Sequence, residues 1–117
     1  MASMSVSKKA VSRWGIYKLN KKLDKKNFLI SEVIEKPSIS KAPSNNAVIG
    51  RYILPKKIFL KLLKQKSTKG NEIHITDAIQ SLIYENEKFI AHNFSGKYLD
   101  CGTMKGYIKS NLEIARL

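Results

Sequence analysis

Glu35 and Lys36, a carboxylate and an ammonium, stand side by side at the end of an apolar run that begins at Phe28, and Pro37 stops that run directly behind them. Such a pair is able to divide one ligand between its members. The carboxylate accepts hydrogen bonds from sugar hydroxyls while the ammonium meets a phosphate. Side chains alternate along a strand, so the two converge only if the strand end twists or bulges. Charges ahead of a proline loop at a strand's carboxyl end lie where α/β proteins place their ligands. The plain alternative is a surface ion pair.

Asp77 is the second carboxylate of interest. It falls in the first turn of the helix read from "HITDAIQSLIYEN", where the macrodipole stabilises an acid without any function. Facing a cleft, the same group could hold one edge of a Mg²⁺ ion whose other ligands are water and phosphate oxygens. The remaining metal donors, His74, His92, Asp100 and Cys101, show no CxxC or HxxxH spacing, so zinc is not indicated. Cys101 is the single cysteine, which rules out an intrachain disulfide. With no base visible beside it, it reads as a structural thiol.

The elements that must carry these groups follow from periodicity. "VSRWGIYKL" (11–19) has strand character interrupted by Gly15, and the lysine-rich "LNKKLDKKN" (19–27) connects it to a second strand, "FLISEVIE" (28–35), as a hairpin. "PSISKAPSNN" (37–46) is a loop by composition. "AVIGRYIL" (47–54) is nearly continuous in apolar and β-branched residues, which predicts a strand buried on both faces until Pro55. A short helix follows, with Ile58, Phe59, Leu62 and Leu63 on one side, and residues 66–72 break it. The next helix buries Ile75, Ile79, Leu82 and Ile83, with Thr76 as its N-cap. "KFIAHNF" (88–94) and "GKYLDCG" predict two short strands, and a last helix from Thr103 is expected to bury Met104, Tyr107, Ile108, Leu112 and Ala115. Alternating strands and helices with a hairpin predict an α/β fold with a mixed sheet and flanking helices.

A chain of 117 residues predicts a single domain over 1–117, with residues 1–10 expected to be disordered. Neither a membrane-length apolar run nor a signal-peptide core occurs, so a cytoplasmic protein is expected. Net charge is +13, and all of the excess lies in residues 1–66, which hold 16 Lys or Arg against 3 acids. Lys, Asn and Ile together supply 41 of the 117 residues, a composition bias that explains the charge more simply than a polyanion partner. "KLNKKLDKKN" has no aromatic residues for base stacking, and no nucleic-acid partner is expected.

The strings "VSRWGI", "VIEKPSISKAPSNNAVIGRYIL", "EIHITDAI" and "KYLDCGTMKGYIKSNLEIA" resemble, in order and spacing, the carboxyl-terminal part of bacterial UTP:glucose-1-phosphate uridylyltransferases. The resemblance covers about residues 11 to 116. It implies part of a Rossmann-like nucleotide-diphospho-sugar transferase fold with the amino-terminal half absent, and UTP, glucose 1-phosphate and UDP-glucose as ligands. By position, Gly15 would lie against the glucose ring, Glu35 would bind its hydroxyls, Lys36 would neutralise the transferring phosphate, and Asp77 would be one of two aspartates on Mg²⁺. Asp100 and Cys101 fall in the family's "DCG" turn, with a structural role expected. Trp14 and His74 depart from the family's usual Tyr and Gln-like residues. The family's Gly-rich UTP loop and its other aspartate have no counterpart here. The chain is therefore expected to be inactive alone, to leave strand edges unsatisfied, and to pair with a separate amino-terminal half or with copies of itself.

Overall fold

Asp24 turns the chain back on itself. Its carboxylate accepts from the backbone N–H of Lys26 at 2.8 Å and of Asn27 at 2.9 Å, and from the Asn27 side chain at 2.7 Å. Those donors hold its carboxyl below the usual range, the Asn27 amide most of all. The turn joins the predicted hairpin, whose strands are Gly15–Lys22 and Asn27–Glu35. Register shifts between Lys18 and Leu19, and between Leu19 and Lys21, twist this pair.

The computed structural model describes residues 1–66 and 72–117. In chain order the strands are β1 (Ala2–Ser5), β2 (Gly15–Lys22), β3 (Asn27–Glu35), β4 (Asn46–Val48) and β5 (Phe89–Asn93). The helices are α1 (Lys57–Lys64), α2 (Ile75–Tyr84) and α3 (Met104–Ala115), with a 3-10 helix at Lys8–Arg13 between β1 and β2. The sheet is mixed, as expected. Its order is β1-β4-β2-β3-β5, closed by a parallel pairing of β1 with β5, so it forms a five-stranded barrel rather than an open layered sheet.

That closure bears on three expectations. Residues 1–10 are ordered, because β1 fills the gap between β4 and β5, with Ser3 opposite Val48 and Asn93. The strand read over 47–54 keeps only its first two residues in a ladder. Gly50 takes φ +71° and turns the chain away, leaving Ile53 94% exposed. The ring is narrow where it closes: β4 meets β2 only at Ile16 and Ala47, and β5 meets β3 only over Asn27 to Ile30, so the rest of β2 and β3 has a strand partner on one side only.

The main core gathers Tyr17, Ile30, Val33, Val48 and Phe89 of the barrel against Ile79 and Leu82 of α2 and Ile58 of α1. Gln80 fastens α2 to β3, accepting from the Val33 N–H at 2.6 Å. A smaller cluster of Val11, Ile16 and Ala47 seats the 3-10 helix. Of the four apolar positions assigned to one side of α1, Ile58 is buried and Leu62 half-buried, but Phe59 and Leu63 are exposed. The break expected over 66–72 falls, for residues 67–71, outside the described residues. "GKYLDCG" forms no strand.

Burial of α3 is also corrected. Thr103 caps it, accepting from the Gly106 N–H at 3.0 Å, yet Met104, Tyr107, Ile108, Leu112 and Ala115 are exposed and Ser110 is the buried residue. The helix meets the molecule through its small residues. A Cβ at Gly106 would stand 2.3 Å from the Asp100 carbonyl oxygen, too close for any side chain.

Candidate functional site

Gly15 opens β2 and Glu35 closes β3, and the two are partners across the ladder. Thr76, in the first turn of α2, comes down onto the same point. Its hydroxyl donates to Glu35 Oε2 at 2.9 Å, and the residue is 3% exposed. A Cβ on Gly15 would stand 3.1 Å from each of three atoms: Glu35 Oε2, Thr76 Cγ2 and Val48 Cγ2. Glycine suits the close approach of a carboxylate and two methyl groups here, since a Cβ would require them to give by a few tenths of an ångström.

These residues floor a cleft of about 400 Å³, walled by Trp14, Tyr52, His74 and Arg13. Burial raises the Tyr52 phenol above its ordinary value, and the negative charge of Glu35 adds to the rise. Trp14 is held edge-on to Tyr98, ring centroids 5.1 Å apart, and Arg13 reaches Asp100 at 3.4 Å. Asp100 also accepts from the Gly102 N–H at 3.0 Å, which ties the "DCG" turn together structurally. Cys101 is exposed and free. Trp14 and His74, the two departures from the family pattern, both line the cleft.

Lys36 follows Glu35 in the left-handed region, φ 43°, with its N–H donating to the Trp14 carbonyl at 3.0 Å. That turn breaks the strict alternation of the strand. The lysine itself is exposed and does not line the cleft. Asp77 faces elsewhere: Gln65 donates to its Oδ2 at 3.3 Å and to the His74 carbonyl at 3.1 Å, in a neighbouring groove of about 310 Å³ shared with Lys61 and Lys64. Of the four residues singled out from sequence, the structure brings Gly15 and Glu35 into one cleft and leaves Lys36 and Asp77 outside its lining. Thr76 is the site residue that sequence reasoning missed. It was assigned to the cap, a position that His74 occupies without a side-chain bond.

The donor set does not make a metal site by itself. Among the described residues no three His, Cys, Asp or Glu side chains gather, and Asp77 offers one carboxylate already bonded to an amide. A larger cleft, about 620 Å³, lies between Arg13 and α3 and contains none of the four residues. Among the described residues, no helix is long and apolar enough to cross a membrane.

Residues 1–116, which include this sheet and its cleft, match the nucleotidyl transferase family model. The chain belongs to that family. It is 38% identical over 115 residues to the UTP–glucose-1-phosphate uridylyltransferase 2 of Streptococcus pyogenes, covering 98% of this chain and 38% of that protein. It is also similar to solved structures. A UDP-glucose pyrophosphorylase complexed with UDP-glucose matches with a TM-score of 0.89 and 40% identity, over 99% of this chain and 44% of that one. A UTP-bound UGPase from Acinetobacter baumannii matches at 0.78 and 31%, over 97% and 38%. The uridylyltransferase resemblance carried by the motifs is thus shown, and the chain spans well under half the length of these relatives.

Proposed function

We propose that this chain is the sugar-phosphate-binding part of a UTP:glucose-1-phosphate uridylyltransferase, the enzyme type that joins UTP to glucose 1-phosphate and releases pyrophosphate. The observation that carries this reading is the cleft in which Gly15 leaves room, Glu35 presents a carboxylate and Thr76 bonds its Oε2. Glu35 accepts from glucose hydroxyls. Lys36, on its exposed turn at the cleft's edge of the chain, swings its long side chain toward the phosphate as charge develops there. Catalysis of this kind asks the protein for in-line placement and charge neutralisation rather than covalent chemistry.

Asp77 is proposed as one carboxylate of a Mg²⁺ site whose other ligands come from outside this chain, once Gln65 yields its bond. A separate amino-terminal half would supply the UTP cradle. The closed barrel favours a second reading, a non-catalytic module that binds the sugar nucleotide by itself.

UDP-glucose and pyrophosphate formation from UTP, glucose 1-phosphate and Mg²⁺ tests both. Activity is expected only when the chain is mixed with a family amino-terminal half, and Lys36→Ala or Asp77→Ala should abolish it. Silence in the mixture with UDP-glucose binding retained leaves the module reading. Silence without binding, from a folded chain, overturns both.

A further inference from the structure

Glu35 has two carboxylate oxygens, and the fold treats them differently. Oε2 is taken by the Thr76 hydroxyl at 2.9 Å, and the same oxygen would lie 3.1 Å from a Cβ on Gly15. Thr76 is 3% exposed and rides on a helix fastened to β3 by Gln80, so its hydroxyl is fixed in place. An ionised carboxylate only accepts, so the hydroxyl must donate, and its rotamer is set by that demand. Val48 and the Thr76 methyl, each 3.1 Å from the same point, leave the carboxylate little freedom to swing across the glycine.

We infer that Thr76 is a positioning residue: it locks one oxygen of Glu35 so that the other is presented, as an acceptor, to ligand hydroxyls in the cleft. This rests on the uridylyltransferase reading for the identity of the ligand, but not for the lock itself. The lock favours a ligand that donates one hydroxyl at a fixed place on the cleft floor, because a carboxylate with one fixed oxygen tolerates little displacement of its partner. It also accounts for the glycine. Any side chain at position 15 would push on the locked oxygen.

The test is a comparison of Thr76→Val, which keeps the shape and drops the donor, with Thr76→Ser, which keeps the donor and drops the methyl. Calorimetric binding of UDP-glucose to the 117-residue chain is expected to weaken about tenfold in Thr76→Val and to stay within about twofold in Thr76→Ser, a loss in line with one charge-assisted hydrogen bond. In Glu35→Ala, which has no side-chain acceptor, the further change Thr76→Val should cost nothing, because the lock acts only through Glu35. A second readout needs no ligand: the side-chain carboxyl carbon resonance of Glu35 should move in Thr76→Val and return in Thr76→Ser. If Thr76→Val unfolds, Thr76→Ala against Thr76→Ser carries the same comparison. A parent chain that binds no UDP-glucose and is silent in the mixture overturns the uridylyltransferase reading, and the carboxyl resonance then decides the lock alone. An unmoved resonance, or equal loss in Val and Ser, overturns the proposal.

Discussion

Lys36 holds a left-handed backbone, which costs a residue with a side chain about 1–2 kcal/mol, and it does so in the position where Glu35 must be released from the strand. Lys36→Gly is therefore expected to unfold in urea at a concentration no lower than the parent. Lys36→Val, with a branched Cβ in the same geometry, should lose roughly 1–2 kcal/mol or more. Equal stability of the two would show that the turn relaxes. Tyr17 and Tyr52 set the alkaline limit. Burial pushes both phenols above their ordinary value of 10.0, with each further raised by a neighbouring negative group, Tyr52 for Tyr17 and Glu35 for Tyr52. Below pH 10 both folded and unfolded chains carry neutral phenols and stability is full. Above it the unfolded chain ionises first, so stability should fall, by about 1.4 kcal/mol per pH unit for Tyr17. Denaturation curves between pH 8 and about 11.5 should show the fall, and Tyr17→Phe should make it shallower. Glu35 stood out in the sequence by its place at a strand end and Gly15 by the family resemblance, and the two line one cleft. Thr76 was not legible as a site residue, because a hydroxyl at a helix start reads equally well as a cap, and only the third dimension puts Glu35 opposite it.

At the scale of elements, α2 and α3 show what an apolar stripe does and does not say. Both stripes were visible in sequence. Ile79 and Leu82 of α2 found the barrel and are 0% exposed, whereas Ile108 and Leu112 of α3 are 54% and 55% exposed. Periodicity identifies a helix and its apolar side but not whether anything covers it. Ile79→Ala should therefore cost about 2–5 kcal/mol in urea denaturation, and Ile108→Ala about 0.5 kcal/mol or less. A comparable loss at both positions would mean that α3 packs against the molecule more closely than its contacts here. Gly106→Ala sets two effects against each other. Alanine favours a helix by about 1 kcal/mol, but its Cβ would meet the Asp100 carbonyl at 2.3 Å, so the expected result is net destabilisation and a displaced "DCG" turn. The strand over 47–54 was overread for a related reason. Its apolar run marks burial potential, while Gly50 decides where the ladder stops.

The whole molecule depends on its least strand-like strand. "ASMS" has little β propensity and was read as part of a disordered tail, yet β1 completes the ring through β4 and β5. Tertiary pairing overrides propensity here, with Ser3 fully buried. A chain lacking residues 1–5 should expose the edges of β4 and β5, lose its single cooperative urea transition and elute as aggregates on size exclusion. A sharp transition and monomeric elution would show that the ring closes without it. The same closure has a bearing on how the chain is made. The β2–β3 hairpin pairs residues close in sequence and is able to form as soon as it leaves the ribosome. The first strand must wait for β5, because its parallel partners include His92 and Asn93. At usual rates of synthesis that interval is roughly 5–20 s, during which β1 has no β5 to pair with. Closing the ring therefore requires the non-local meeting of Ala2 with His92 and of Ser3 with Asn93, a kind of pairing that slows folding relative to local contacts.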